Sequence, residues 1–468
     1  MPTLPPNRLA GNASFQNVVE PFLHQPGLPF ADVLDAKAVE QAFAARRCLF
    51  ATDAVFSTPI VLWAFLAQVL RDGKGAACAA AVADIATYMQ QTGQRPPSGD
   101  TGDYCRARAK LDRQALRTLV RQAARQLNGQ ARADWLWHGR CAKLVDGFTF
   151  TMPDTPANQD AFPQQTNQAP GVGLPIARAC AVLSLATAAI HDLAIGPYQG
   201  KQTGESALLR EILDSLNARD VVVFDRYYCS FMMQALLKLR GIDVCTRLHQ
   251  CRASDFRRGR RLGSFDHLVT WTRPQRPAWM SPEQYEQIPQ TLTLRELQFD
   301  VTVPGRRAET ITVVTTLTDP VAYPKQDIAA LYGYRWNAEL DIRDIKQTLG
   351  LDHARCKTPE MVERELWVTL LAYNLIRKVI ATAAATHDKQ PRQIGFTLAC
   401  QTVLSSWMLL ASGACRDVRR LTHDALARIA ANEVANRPGR IEPRVLKRRR
   451  HRYPLMIRPR HQLPKELA

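Results

Sequence analysis

The sequence predicts an α/β fold, a mixed sheet flanked by helices. Three observations carry this: two β-branched apolar runs that each hold an aspartate, a hairpin-like stretch and short amphipathic helix between them, and long helical blocks on both sides. Residues 1–135 read as helical and Ala-rich after a Pro-containing lead, MPTLPPNRLAGN. Their most pointed piece is residues 104–127, YCRARAKLDRQALRTLVRQAARQL. There Leu111, Leu116, Leu119, Val120, Ala123 and Leu127 form an apolar stripe, and Arg113, Arg117, Arg121 and Arg125 recur every fourth residue. Such a face suits either solvent or a polyanion.

Residues 136–250 hold the first strands. KLVDGFT at 143–149 and DVVVFDRYY at 220–228 are of buried-strand type, carrying Asp146 and ending at Asp225. A lone Asp closing a strand also serves as a turn or cap residue. Between them, residues 177–193 suit a strand pair turning near His191 and Asp192, and residues 206–216 (SALLREILDSL) suit a short amphipathic helix. A core strand follows at 242–248. Residues 251–322 then read as β-rich, with runs at 267–272, 297–303 and 309–317. This segment carries Arg257, Arg258, Arg260 and Arg261, then Trp271, Arg273, Arg276 and Trp279, a mixture of cations and rings suited to phosphate contact and base stacking.

Residues 323–385 return to helix. YGYRWNAELDIRDIK at 332–346, wound at about 100° per residue, places Tyr332, Arg335, Glu339 and Lys346 within an arc of roughly 60°. An acid among three phosphate-friendly groups suits a divalent metal held against a phosphate backbone. Arg335 and Glu339 also fit an ordinary i,i+4 pair on a solvated face, and the two strand acids upstream weigh against that plainer account. Helices are expected at 361–385 and, within residues 386–468, at 392–410. Residues 437–460 then bring ten Lys or Arg against Glu442 alone, a pattern of sequence-independent DNA contact or of disorder.

The composition excludes several classes. Lys and Arg total 61 against 43 Asp and Glu, a net charge of +18 that favours polyanionic partners and salt-sensitive binding. The uncharged apolar runs fall short of the ~20 residues a bilayer requires, and residues 367–385 are broken by Arg377 and Lys378, so no membrane partner is expected. The start has no basic stretch followed by an apolar one, so secretion is unsupported. Eleven cysteines are scattered without a CxxC pair, as suits reduced thiols in a cytoplasm. The ten histidines show no HExxH spacing, and no Walker loop or dinucleotide fingerprint is present.

The pattern Tyr332, two residues, Arg335, three residues, Glu339, six residues, Lys346 resembles the signature of the DDE transposases of bacterial insertion sequences, in the group named after insertion sequence four. The contexts of Asp146 and Asp225 and the stretch 350–377 share the resemblance, which spans roughly residues 100–380. It implies a ribonuclease H-like core with a β-rich insertion between the second Asp and the Glu, and a catalytic, metal-binding triad of Asp146, Asp225 and Glu339. The implied cofactor is a pair of Mg²⁺ ions about 4 Å apart, with Mn²⁺ as substitute. Tyr332, Arg335 and Lys346 are expected on DNA phosphates, with Arg226, Trp271, Arg113 and Arg117 as further DNA contacts. The implied activity is cutting double-stranded DNA at terminal inverted repeats and joining the 3′-hydroxyl ends to target DNA. The N-terminal helices would bind the ends, and a homodimer on DNA and a cytoplasmic, nucleoid-associated location in a bacterium are implied as well. A ribonuclease H-like nuclease without strand transfer and an inactive DNA-binding descendant are the alternatives. Retention of all three acids with the whole signature argues against the second.

Overall fold

Among the described residues, the helices α1 (Thr58–Val69), α2 (Cys78–Gln91), α3 (Gly102–Ala109) and α4 (Arg113–Gly129) precede the first strand. The computed structural model describes residues 41–43, 55–91, 93–301, 309–411, 415–434, 456–459 and 462–463. The lead peptide and nearly all of the basic stretch at 437–460 lie outside the described residues. The amphipathic stretch 104–127 is two helices. Asp112 divides them, its carboxylate accepting the Ala115 N–H at 2.8 Å as the N-cap of α4. The apolar stripe of α4 is buried as its periodicity requires.

Next come β1 (Ala142–Thr151), α5 (Pro156–Ala161), β2 (Ile176–Ser184), β3 (Ile190–Pro197), α6 (Glu205–Glu211), β4 (Val221–Phe224), α7 (Phe231–Leu239) and β5 (Asp243–Arg247). They are followed by β6 (Arg260–Gly263), β7 (Asp266–Thr272), α8 (Pro282–Glu286), β8 (Thr291–Val301) and β9 (Glu309–Thr315). All nine strands form one sheet in the order β3-β2-β1-β4-β5-β9-β8-β7-β6. β1, β4 and β5 run parallel at its centre, and the remaining pairings are antiparallel. The strands of the segment 251–322 thus extend the same sheet beyond β5 rather than standing apart as a separate layer.

The hairpin turns at residues 185–189, not at His191 and Asp192, which lie inside β3. These two residues read as turn-formers because they are polar, yet both are buried with partners. The Lys143 ammonium meets His191 Nε2 at 2.6 Å, and Arg117 grips both oxygens of Asp192 at 3.0 and 2.6 Å. A buried polar group with its partners in place carries no penalty for sitting in a strand.

The last block is helical: α9 (Lys325–Gly333), α10 (Trp336–Arg343), a π-helical turn Asp344–Thr348, α11 (Pro359–Thr386), α12 (Phe396–Ala411) and α13 (Val418–Ala431). α9 and α11 share a core with α1, α4 and one face of the sheet, while α6 and α7 cover the other face. Among the described residues α11 alone is long and apolar enough to cross a membrane. Its most apolar window is 89% buried inside the protein.

Candidate active site

β1 and β4 pair in parallel with Leu144 opposite Val223, and Asp146 and Asp225 each lie two residues further on. Asp146 lies inside β1 and Asp225 is the first residue past the end of β4, so both acids stand towards the same end of two neighbouring parallel strands. Both acids also do local work. Asp146 accepts its neighbour Gly147 N–H at 2.9 Å, and Asp225 caps the following turn by accepting Tyr227 N–H at 2.8 Å.

The stretch 332–346 is not one uninterrupted helix. α9 stops at Gly333, α10 begins at Trp336, and the π-helical turn takes up Asp344 to Thr348, so the stretch does not wind as one continuous α-helix, although Arg335 and Glu339 keep their i,i+4 pairing. Arg335, at the joint, is the residue that gathers the acids: its guanidinium stands 2.9 Å from Glu339 and 3.7 Å from Asp146. Tyr332 is 7% exposed and its hydroxyl is pushed up to about 12 by burial. Lys346, beyond the joint, pairs with Asp352 at 2.9 Å.

Burial pushes the Asp146 carboxyl up to about 7; Arg335 and the Gly147 N–H oppose the shift, and Glu205 and Glu339 add to it. Arg335 stays charged. Burial works against its guanidinium, but Tyr332, Glu339 and Asp146 outweigh it. Among the described residues no three His, Cys, Asp or Glu side chains stand close enough together to hold a metal as they are placed. The donor set at the strand ends is nevertheless all carboxylate oxygen, the chemistry that suits Mg²⁺ or Mn²⁺ rather than softer ions.

Glu339 is held from behind. Asp341, two residues on and so about 200° round the helix, is buried and accepts from Arg377 at 3.1 Å and from Arg392 at 2.9 and 3.2 Å. Arg377 also bonds Asp344 at 3.0 Å and the Tyr373 hydroxyl at 2.8 Å. This ion network ties α10 to α11.

The other expected DNA contacts sit differently. Trp271 is a core residue, 8% exposed; its indole N–H donates to Glu296 at 3.1 Å and Arg252 covers its ring at 3.9 Å. Arg113 pairs with Glu363, and Arg117 with Asp192, so these two members of the basic face of α4 are engaged within the chain. Arg226 opens the turn directly after Asp225, half-buried beside it. Arg257 and Arg258, by contrast, are largely exposed. Sequence reasoning passed over Glu205, the first residue of α6. Its position between the two Asp strands, just before the recognised amphipathic run, was the available signal.

The Transposase DDE domain family matches residues 137–375, more than half of the chain and the whole span from β1 to the middle of α11. The chain is 28% identical over 352 residues to the transposase InsG for insertion sequence element IS4 of Escherichia coli (strain K12), covering 74% of this chain and 76% of that protein. A cryo-EM structure of the piggyBac transposase synaptic complex with hairpin DNA aligns over 92% of this chain and 88% of that one, at 10% identity and a TM-score of 0.42, too distant a likeness to carry a fold assignment. Since that family match covers more than half of the chain, the chain belongs to the DDE transposases.

Proposed function

We propose that this transposase cuts double-stranded DNA at the terminal inverted repeats of an insertion sequence and joins the freed 3′-hydroxyls to target DNA. The observation that carries the reading is that Arg335 links Asp146 of β1 to Glu339 of α10, with Asp225 just past the end of the neighbouring parallel strand β4. Asp146, Asp225 and Glu339 are the residues that would hold a divalent cation, Mg²⁺ with Mn²⁺ as substitute. When bound, the cation supplies Lewis acidity to the phosphoryl oxygens and lowers the pKa of the attacking hydroxyl.

The chain's own residues do the rest. A carboxyl as easily protonated as that of Asp146 must lose its proton before it takes part, and the Arg335 guanidinium favours that loss. Arg335, with Arg226 and Lys346 on either side of the acids, offers cationic donors to the phosphates of the scissile strand. Lys346 is free for that role once it releases exposed Asp352, an exchange of small cost at the surface. Tyr332 serves from the core, fixing the joint at which Arg335 turns outward. Exposed Arg257 and Arg258 extend a basic surface along the segment 251–322. End recognition by the N-terminal helices, a homodimer on DNA, a ribonuclease H-like ancestry of the sheet and a nucleoid-associated location belong to the same reading. The family match and the +18 charge support it.

The test is incubation of the purified protein with Mg²⁺, a target plasmid and a DNA fragment ending in the repeats that flank its own gene, beside Asp225→Ala. Cutting at the repeat tip followed by joining, both lost in the variant, is the expected result. Binding without cutting would leave an inactive descendant, and cutting without end preference a general nuclease; either would end the proposal.

A further inference from the structure

Glu205 stands at the same strand ends as the acids above, but arrives from the other side of the sheet. α6, which begins with Glu205, packs with α7 against the face opposite α9 and α11. Its carboxylate reaches β1 at Gly147. A Cβ built on that glycine would lie 2.1 Å from Glu205 Cδ and 2.3 Å from Oε1, so the carboxylate occupies the space a side chain would fill. The backbone of Gly147 is ordinary strand with no positive φ, so its lack of a side chain serves this approach rather than a turn.

The contacts of Glu205 are thin for a half-buried acid. Among the described residues it receives one long hydrogen bond, from the Tyr228 hydroxyl at 3.4 Å, and no ion pair within 4 Å. Arg178 lies near enough to act on it through space, but spends its own guanidinium on the Thr203 carbonyl at 3.3 Å. Asp146 and Asp225 are both close enough to repel it. A carboxylate placed beside two others, with a backbone position cleared for it, is an arrangement that costs stability unless a cation is shared.

We infer that Glu205 is a fourth carboxylate of the active site, lying across Gly147 to share with Asp146 and Asp225 in holding a divalent cation. The inference rests on the metal-dependent reading of this site. Glu205 and Glu339 then flank the strand ends from opposite faces of the sheet, one brought by α6 and the other by α10.

The experiment is titration of Mn²⁺ into the full-length protein, followed by the electron paramagnetic resonance of free Mn²⁺, for wild type, Glu205→Gln, Gly147→Ala and Asp146→Asn, each checked for native circular dichroism. Glu205→Gln is expected to weaken Mn²⁺ binding on the order of 10–100-fold and to raise the Mg²⁺ concentration needed for cleavage by a similar factor. Gly147→Ala, which displaces the carboxylate without removing it, should do the same. Thermal melts of Gly147→Ala, Glu205→Ala and the double variant give a folding readout: the contact predicts that Glu205→Ala relieves most of the destabilisation caused by the added methyl. Wild-type Mn²⁺ affinity in Glu205→Gln beside loss in Asp146→Asn would overturn the fourth carboxylate and leave the site reading standing. Wild-type affinity in both would overturn the site reading itself.

Discussion

Arg117→Ala is expected to cost the protein stability and leave its grip on DNA unchanged. Arg117 belongs to the every-fourth-residue Arg pattern of α4 that, in sequence, suits a nucleic-acid face. In the structure its Nε and Nη2 donate to the two oxygens of Asp192 at 3.0 and 2.6 Å, and its guanidinium lies 5.7 Å from the centre of the Trp367 ring. Asp192 is fully buried in β3, and Arg121 is its other partner. Removing one partner of a buried pair typically costs about 3–5 kcal/mol, because the remaining charge is left without compensation in a poor dielectric. Arg121 stays behind to share the load, which places the loss near the lower end, about 3 kcal/mol. Urea unfolding followed by tryptophan fluorescence measures it, with amide exchange at β3 as a local readout. Affinity for a repeat-end fragment, taken at several salt concentrations, measures the other half: a lost phosphate contact lowers the slope of log K against log salt by about 1, and an internal ion pair leaves it alone. Wild-type stability together with a reduced salt slope would refute the reasoning and return α4 to the DNA.

Asp341→Ala removes the anion that Arg377 and Arg392 share behind Glu339. A loss of about 3 kcal/mol in urea unfolding is expected, together with slower cleavage, and cleavage at the wild-type rate would show that α10 holds its place without this anchor. Trp271→Phe leaves buried Glu296 without its indole donor, which should cost about 1–3 kcal/mol in thermal or urea melts while binding of the repeat end is retained; lost binding in a stable variant would make Trp271 a DNA contact after all. Lys143, fully buried, has its ammonium lowered to about 8 by burial, with Asp220 opposing. Since the unfolded chain binds more protons between pH 8 and the ordinary lysine value, stability contributed at this residue rises with pH across that window and is lowest, by about 3 kcal/mol, below it. The stability difference between Lys143→Met and wild type should therefore shift in favour of wild type by up to that amount from pH 8 to 10.5, and a difference constant with pH would overturn the assignment.

What could be read in the sequence was local pattern. The runs around Asp146 and Asp225 are strands because β-branched residues suit a sheet buried on both faces, α4 follows its apolar periodicity, and α11, apolar along most of its length, is buried on every side. What escaped was pairing across distance. His191 and Asp192 look like turn residues until Lys143 and Arg117 are placed beside them, and Trp271 looks like a stacking platform until Glu296 is found at its indole N–H and Arg252 over its ring. The break between α9 and α10 is also invisible to a helical wheel, which assumes one axis. Gly333 and the joint at Tyr334 and Arg335 end that axis, and the π-helical turn shifts the phase again before Lys346. Glu205 was hidden for a related reason: its place before the amphipathic run marks a helix start, but not that the glycine it lies against is on another strand.

The joint has a consequence for how the acids are held. A single straight helix carrying Arg335 and Glu339 on one face would bind them to each other as an ordinary surface pair, with Asp146 left to face them across a gap. With the axis broken at Tyr334, Arg335 becomes the N-cap of α10, its backbone fixed by the turn before and the helix after, and its guanidinium reaches Glu339 and Asp146 together. Meanwhile Asp341, on the far side of α10, commits that helix to Arg377 and Arg392 in the core. The front of α10 is therefore set by charge that can exchange, and the back by charge that cannot leave without exposing two guanidiniums to the interior. Exchangeable contacts on a rigidly backed helix are what a site of crowded carboxylates requires. On the proposed metal-dependent reading, Arg335 would offset their repulsion in the absence of another cation and would give them up to one with no need for α10 to move.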